Sequence, residues 1–495
     1  MIFRKTPIAI ACLAALVLTN SAYAQQSSSV DAKIEALQKQ IEALKAEIGT
    51  KADVNQVAAQ NASSGPMISM KPGDDLTFRI GDKAEVQIYG HADVSYDEVS
   101  NGLGHAVGAT GKNGYQSDIS SNLSFFGIRG DRLINDDLKG VFQFETEVFY
   151  SATPGASDQA PDGTAQKTGL GSRNSYVGLQ STRFGAVKLG KTDTPYKSAT
   201  GRMDPFASSI GDYNSIMGNT GGDNRAEFDA RLAHSIWYES PKMNGFAFNA
   251  LLSPGQNRST DDLQYAAGEP DCTGGNSLGP QNPPNGCGDG SFGTAYSTSL
   301  SYSAGPLYAV AAYELHKDVN RSGDDNAPGS VGIADEQAFK IGVQYKFVTN
   351  TIANLIFERM KRDAITSAED ERTRNGSWFA LTQKLTPNDE LNFGWAHAYA
   401  TSGQPIGTPP NLNGQAATTG SSDNSANLYS IGFKHHFDKK STVYVVASDL
   451  KNGEWAHYAM GPGGHGVPTR NKDGDGNTFS GANVKGISVG VTYDF

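Results

Sequence analysis

Beyond residue 24 the sequence contains no run of 18 apolar residues, the length that a membrane-spanning helix needs. Basic residues are also scarce, since 41 Lys and Arg stand against 52 Asp and Glu and give a net charge of −11. A chain of this charge is a poor partner for nucleic acid. The composition therefore argues against both a helical membrane protein and a nucleic-acid-binding protein.

The motifs of common catalytic and metal sites are also missing. There is no Gly-x-Ser-x-Gly sequence and no phosphate-binding loop, and the nine histidines show no metal-ligand spacing. The segment 473–477 begins like a calcium loop, but Thr478 stands where glycine is needed and Val484 where glutamate is needed. The sequence thus predicts no enzyme, no catalytic residue, no metal site and no cofactor.

The first 24 residues have the features of a secretory signal peptide. Arg4 and Lys5 precede an apolar run from Ile8 to Leu18, and Ala22-Tyr23-Ala24 provides a small-x-small cleavage site. The apolar run is too short to cross a bilayer as a helix. We therefore expect an exported protein that is cleaved before Gln25.

Residues 25–50 repeat apolar side chains every three or four positions. The seam consists of Val30, Ile34, Leu37, Ile41, Leu44 and Ile48. Such a seam predicts a short α-helical coiled coil, although one amphipathic helix packed on another surface would give the same pattern. Its Ile and Leu positions favour a parallel dimer. Residues 51–83 then read as a linker.

Strict alternation of apolar and polar side chains begins at Ala84. Val86, Ile88 and Val94 share one face of this segment, whereas Gln87 and Asp93 lie on the other. Lipid outside and water inside a transmembrane β-barrel require this two-faced strand, and they keep the mean hydropathy low, here −0.43. Similar segments recur along residues 84–495 and give about 16 strands.

The connections between these segments alternate between short turns and long loops. Residues 181–183, 241–243 and 386–387 form short connections, and others span roughly 10 to 40 residues. This asymmetry is typical of antiparallel outer-membrane barrels. The last strand ends in Phe495, which resembles the C-terminal aromatic signal that the barrel-insertion machinery recognises.

Four motifs give the barrel a specific family resemblance. They are Phe126-Gly127-Ile128-Arg129-Gly130, Arg173-Asn174-Ser175-Tyr176-Val177-Gly178-Leu179, Phe184-Gly185-Ala186-Val187-Lys188-Leu189-Gly190-Lys191 and Asp193-Thr194-Pro195-Tyr196. In this order they resemble the trimeric general porins of Gram-negative bacteria. The N-terminal extension is similar to that of DcaP-type porins, which take up carboxylates.

The resemblance implies a homotrimer of water-filled barrels in the outer membrane, each narrowed by its third long loop at about residues 193–230. That loop carries the acidic residues Asp204, Asp212, Asp223, Glu227 and Asp229. Phe126, Ile128, Tyr176, Val187, Leu189, Ile236 and Tyr238 would face lipid, so alternation directs the basic residues Arg129, Arg173, Lys188 and Arg231 inward. Acids facing bases across a narrow pore would select solutes by charge, although side chains on a wet wall can also be merely solvated. Phe125 stands where many general porins carry an arginine.

The mature chain contains only Cys272 and Cys287, both in a predicted long loop. An exported protein folds in an oxidising compartment, so we expect a disulfide between them, with two free thiols as the alternative.

These features predict a passive diffusion porin for ions and small hydrophilic solutes. Two alternatives remain open: a channel that prefers carboxylates, and a tether that binds peptidoglycan through a periplasmic coiled coil. We also expect contact with outer-membrane lipid and lipopolysaccharide.

Overall fold

The computed structural model describes Lys39 and a set of ranges that cover the predicted barrel. These are residues 68–70, 76–101, 115–148, 150, 173–218, 228–254, 292–320, 333–363, 373–400, 423, 425–453, 456, 458, 460, 481 and 483–495. The predicted signal peptide, the predicted coiled coil apart from Lys39, and Cys272 and Cys287 lie outside the described residues. No helix in the described ranges is long and apolar enough to cross a membrane.

Nineteen antiparallel strands form one sheet in the described part of the chain. They are β1 Ile68–Met70, β2 Leu76–Ile80, β3 Ala84–Asn101, β4 Tyr115–Ser121, β5 Phe125–Leu133, β6 Leu138–Glu147, β7 Ser175–Ser181, β8 Gly185–Asp193, β9 Arg231–Glu239, β10 Phe246–Pro254, β11 Thr294–Ala304, β12 Leu307–Asn320, β13 Ile333–Lys346, β14 Thr351–Arg362, β15 Arg374–Lys384, β16 Asp389–Ala398, β17 Ala426–His436, β18 Ser441–Asn452 and β19 Val484–Asp494.

The sheet closes into a barrel with 16 strand positions. From β5 to β19 each strand pairs with the next, and β19 returns to β3 in a register that runs from Val484 opposite Asn101 to Asp494 opposite His91. β4 and β5 share one position, because both pair with β3 on the same side. The extended backbone is interrupted between these two strands at Leu123, which has a φ of 55°. The predicted number of strands is confirmed.

Two short strands, β1 and β2, were not predicted, because the sequence placed residues 51–83 in a linker. β2 pairs with Ala84–Ile88 of β3, and β1 pairs with β2. β2 thus pairs with the part of β3 that extends beyond its pairing with β19, because that pairing ends at His91. Phe495 lies at this junction, where its backbone exchanges hydrogen bonds with Gly90.

Hydrophobic side chains cover the outer face of the barrel, as lipid contact requires. Leu189, Ile236, Phe357, Ile431 and Val489 are all exposed. One predicted lipid-facing residue is placed wrongly by the sequence: Tyr176 faces the interior. It pairs with Gln143 on the inner face, and its ring packs edge-on against Trp237 at 5.4 Å.

Short turns join the strands at one end of the barrel. At the β9–β10 turn, Asn244 and Gly245 adopt φ values of 51° and 92°, the left-handed conformation that tight hairpins require. At the other end, the described parts of the connection between β8 and β9, residues 194–218 and 228–230, turn into the barrel. They contain helix α1, Pro195–Thr200, and short 3₁₀ segments at Gly201–Met203 and Tyr213–Ser215. We call residues 194–230 the inner loop.

Candidate functional site

The inner loop is bonded to the inner face of strands β11–β17. Its backbone is held by side chains of the wall. Ser297 Oγ accepts from Tyr196 N at 3.0 Å, and the other side chains donate to loop carbonyls: Tyr308 to Ala199 at 2.7 Å, Trp378 to Met203 at 3.1 Å and Ser430 to Gly211 at 3.2 Å. These contacts narrow the interior from one side and fix the loop along the barrel wall.

Apolar packing holds the middle of the inner loop. Met203, Phe206, Ile210 and Ile216 are fully buried in a cluster that includes Trp378 of the wall. Glycines on the wall leave the space that these side chains fill. A Cβ added at Gly394 would come within 2.3 Å of Trp378 and 2.8 Å of Phe206. The wall behind the loop is therefore apolar, although a barrel interior is usually polar.

Buried charges hold the end of the inner loop. Lys340 Nζ lies 2.6 Å from Asp229 Oδ1 and 3.9 Å above the ring of Tyr196. Glu358 accepts hydrogen bonds from Gly218 N at 2.9 Å and from the Tyr196 hydroxyl at 3.2 Å. A buried charge that loses its partner is costly, so these bonds make the docked position specific.

Arg374 completes this group. Its guanidinium lies 3.6 Å from Glu358 and donates a hydrogen bond to the carbonyl of Ile216. Lys340, Asp229, Glu358 and Arg374 are all almost completely inaccessible to solvent. We call these four residues the loop latch.

The predicted acids of the inner loop do not form a row of free carboxylates. Asp204 accepts from the backbone N–H groups of Phe206 and Tyr213, and Asp212 accepts from those of Ser208 and Asn214. Burial and the neighbouring Asp212 carboxyl raise the pKa of Asp204 well above its usual range. Burial also raises the pKa of Asp212, so the ionised forms of both carboxyls are disfavoured.

Asp229 is the third described acid of the loop, and it is neutralised by Lys340. Asp223 and Glu227 lie outside the described residues. The structure thus brings Asp204 and Asp212 together inside the loop, separate from Asp229 in the latch.

Three of the four predicted basic residues lie on the opposite wall, formed by β3 and β5–β8. Arg129 is exposed, and its Nε donates to Gln87 at 2.8 Å. Arg173 pairs with Glu145 at 2.6 Å, and Lys188 pairs with Glu239 at 2.8 Å.

Each of these cations also lies over an aromatic ring. The distances to the ring centroids are 4.6 Å for Arg129 over Tyr89, 4.7 Å for Arg173 over Phe125 and 4.6 Å for Lys188 over Tyr176. Phe125, at the position where an arginine was expected, thus supports the guanidinium of Arg173.

Arg231 has a different role from the other three. Its guanidinium lies 3.1 Å from Asp193, and its Nε donates to Asn174 at 2.7 Å. Asp193 also binds Lys197 of the inner loop at 3.1 Å. This cluster fixes the point at which the chain leaves β8 and enters the loop.

Sequence reasoning missed Arg202. It is exposed at the 3₁₀ turn of the inner loop, donates to Gln344 at 3.0 Å and lies 4.4 Å over the ring of Tyr308. Its position between Gly201 and Met203 in a short turn gives no periodic signal, so alternation could not have placed it. Among the described residues no metal-binding cluster of His, Cys, Asp or Glu occurs.

A closed barrel with 16 strand positions, a lipid-facing apolar exterior and a loop fixed inside defines a channel of the outer-membrane type. The model of the Gram-negative porin family matches residues 11–454, most of the chain. The chain therefore belongs to the Gram-negative porin family. It is an outer-membrane channel through which ions and small hydrophilic solutes diffuse passively.

Individual relatives agree with this assignment. An outer membrane porin protein of Bordetella pertussis is 24% identical over 345 residues, which cover 67% of this chain and 77% of that protein. The anion-selective porin from Comamonas acidovorans has a similar fold, with a TM-score of 0.57 and 18% identity over 83% of this chain and all of that one. The trimer form of OmpT of Vibrio cholerae gives a TM-score of 0.50 at 14% identity, over 84% of this chain and all of that one.

Proposed function

We propose that residues 194–230 form the constriction of the channel and that the channel prefers anions. The observation that carries this proposal is the distribution of unpaired charge. Arg129 on the wall and Arg202 on the loop have no carboxylate partner among the described residues, whereas Asp204, Asp212 and Asp229 of the loop are buried or neutralised.

Other inward charges support the same sign. The carboxylates Asp131, Glu145 and Glu239 each pair with a lysine or arginine. Near the short turns, alternation directs inward the three lysines Lys346, Lys384 and Lys434, which have no carboxylate partner in the described ranges, against the two carboxylates Glu390 and Asp494. Fixed positive charge in a narrow aqueous pore repels cations.

Reversal potentials under a KCl gradient test this proposal. The unmodified channel should favour chloride, and Arg129→Gln with Arg202→Gln should shift the permeability ratio toward potassium. Each substitution should change the ratio by up to about fivefold, because unit charges about 4 Å apart in water interact by ~1 kcal/mol. Arg173→Ala should act in the same direction, since it leaves Glu145 without its partner.

The matched control is Arg359→Gln, which removes one positive charge from an exposed residue of β14 on the outer face. It should leave the reversal potential unchanged. A cation-selective native channel, or a double variant with the native reversal potential, would refute the charge assignment.

Several further features are proposed from the family resemblance. We propose that the protein is a homotrimer, that the segment 25–50 lies in the periplasm as a coiled coil able to contact peptidoglycan, and that the outer face contacts lipid and lipopolysaccharide. Phe495 is proposed as the recognition residue for barrel insertion. Crosslinking of the solubilised protein, with and without residues 25–50, tests the trimer and the contribution of the coil.

The disulfide between Cys272 and Cys287 remains a prediction. The intact mass of denatured protein, alkylated without reductant, should show no added alkyl groups. Closing this interval should restrict the loop by roughly 3 kcal/mol of chain entropy. Addition of two alkyl groups would show free thiols instead.

A further inference from the structure

Aromatic side chains on the lumen side of the barrel need an explanation, because the inner face of a water-filled barrel is usually polar. Tyr89, Phe125 and Tyr176 all point inward from strands β3, β5 and β7 of one wall, in which β6 lies between β5 and β7. Two of these rings contact each other: Tyr89 lies edge-on to Phe125, with the ring centroids 6.1 Å apart. Phe125 also stacks on His91 at a centroid distance of 5.7 Å.

Each of these rings carries one of the three wall cations described above. We call the six residues Arg173, Phe125, Arg129, Tyr89, Lys188 and Tyr176 the cation–ring ladder. Register orders the cations along the wall. Arg173 precedes β7 at the end with the long loops, Arg129 pairs with Gln143, and Lys188 lies one inward position closer to the short turns than Tyr176. The three cations thus occupy different positions of the pairing register on one wall.

The wall orients the rings. A Cβ added at Gly127 would come within 2.4 Å of Tyr89, so this ring rests on the glycine backbone. The guanidinium of Arg129 covers the ring, and Arg129 is exposed. The other face of this planar cation is therefore accessible from the lumen.

Arg129 also retains free donors. Its Nε is bonded to Gln87, and its terminal amino groups have no partner in the described ranges. A guanidinium edge binds a carboxylate, and its face attracts the electron-rich face of an aromatic ring. Arg173 and Lys188 lie on the same wall but are each paired with a carboxylate, so Arg129 is the cation of this wall that can offer both its edge and its face to a solute.

We propose that the cation–ring ladder is a track for aromatic carboxylates, which it passes in preference to saturated carboxylates of equal charge and similar size. This inference rests on the proposed anion preference and adds the chemical class of the solute. Charge attracts both kinds of carboxylate, whereas the accessible face of Arg129, which Tyr89 supports from behind, distinguishes a flat π system from a saturated ring.

A supporting role for the rings has different consequences. If Tyr89 and Phe125 only kept the cations in place, their loss would alter the permeation of all carboxylates in the same proportion. The ratio between an aromatic and a saturated carboxylate separates the two cases.

The test uses the full-length protein in planar bilayers, at a pH well above the pKa of both probe acids. Reversal potentials with chloride on one side and benzoate or cyclohexanecarboxylate on the other give the permeability ratio of the two carboxylates. The native channel should favour benzoate by about two- to fivefold, the range that a cation–π contact at an exposed site provides.

Two variants and one control locate the effect. Tyr89→Leu with Phe125→Leu keeps apolar volume and should bring the benzoate ratio close to one. Arg129→Lys keeps the charge but loses the planar face, so it should lower the ratio of benzoate to cyclohexanecarboxylate permeability. The reversal potential in KCl should still show a preference for chloride. Phe144→Leu removes an exposed ring from the outer face of β6 and should have no effect.

Two outcomes overturn the proposal: a ratio of one in the native channel, or a native ratio in both the ring variant and Arg129→Lys. The native ratio needs no variant, so a misfolded variant cannot obscure the result. Failure of the anion preference is read separately, from the KCl reversal potential of the same native channels.

Discussion

Replacing Lys340 with Met should release the inner loop and raise the single-channel conductance. Lys340 is the only described partner of the Asp229 Oδ1 atom in the loop latch, and both side chains are buried. Burial and the neighbouring Glu358 raise the pKa of Asp229 to about 6, and Lys340 opposes that shift, so loss of the lysine leaves the carboxyl buried without its stabilising cation. Removing one partner of a buried ion pair costs roughly 3–5 kcal/mol. A loop that leaves the wall should widen the pore and increase current noise.

The control is Lys361→Met on the neighbouring strand β14. This lysine pairs with Asp363 at 2.8 Å, but both side chains are about half exposed, so its loss should change conductance little. Asp229→Asn combined with Lys340→Met removes both charges and should restore part of the native conductance. Native conductance and noise in Lys340→Met alone would show that the latch does not hold the loop.

The barrel could be predicted from the sequence because lipid outside and water inside impose a period of two on each strand. Two strands alternated poorly in the sequence, β14 and β18. Their inner faces carry Ile356, Met360, Val446 and Leu450, which are buried in the core cluster that contains the inner loop. In the structure the side chains of both strands alternate between the inner and the outer face. The sequence does not show this alternation, because the inward side chains that contact the loop are apolar like the outward ones.

The side of the barrel wall on which Tyr176 lies was harder to predict. Tyrosine suits both a lipid boundary and a lumen wall, and β7 begins only at Ser175, so few residues were available to fix the phase. Pairing with Gln143 and packing on Trp237 decide it, and both partners lie on other strands.

The charged residues of the inner loop and of the opposite wall could be predicted by type, but their pairing and protonation could not. The family resemblance implied acids in the loop, and alternation directed bases to the inner wall. Only three-dimensional contacts show that Asp204 and Asp212 share one environment, or that Arg173 and Lys188 are already paired. The net charge of −11 is likewise no guide to the sign of the pore, because it counts residues of the outer face and of the connecting segments together with those that face the lumen.

Trp378→Ala should destabilise the docked loop as strongly as the loss of Lys340, although Trp378 is uncharged. Its indole N–H donates to Met203, and its ring contacts Phe206 and Tyr213 at centroid distances of 6.3 and 5.6 Å. Truncating a buried tryptophan costs roughly 3–5 kcal/mol, because it leaves a cavity. We expect a higher conductance and a lower thermal unfolding temperature in detergent.

Trp395→Ala provides a matched control on the adjacent strand β16. This tryptophan is 36% exposed on the outer face, and its indole N–H donates to Asn427. Because it has no contact with the loop, its loss should leave conductance unchanged, even if the unfolding temperature falls. Conductance thus reports on the loop, and thermal unfolding reports on the barrel. Equal conductance in Trp378→Ala, Trp395→Ala and the native protein would mean that the apolar wall does not position the constriction.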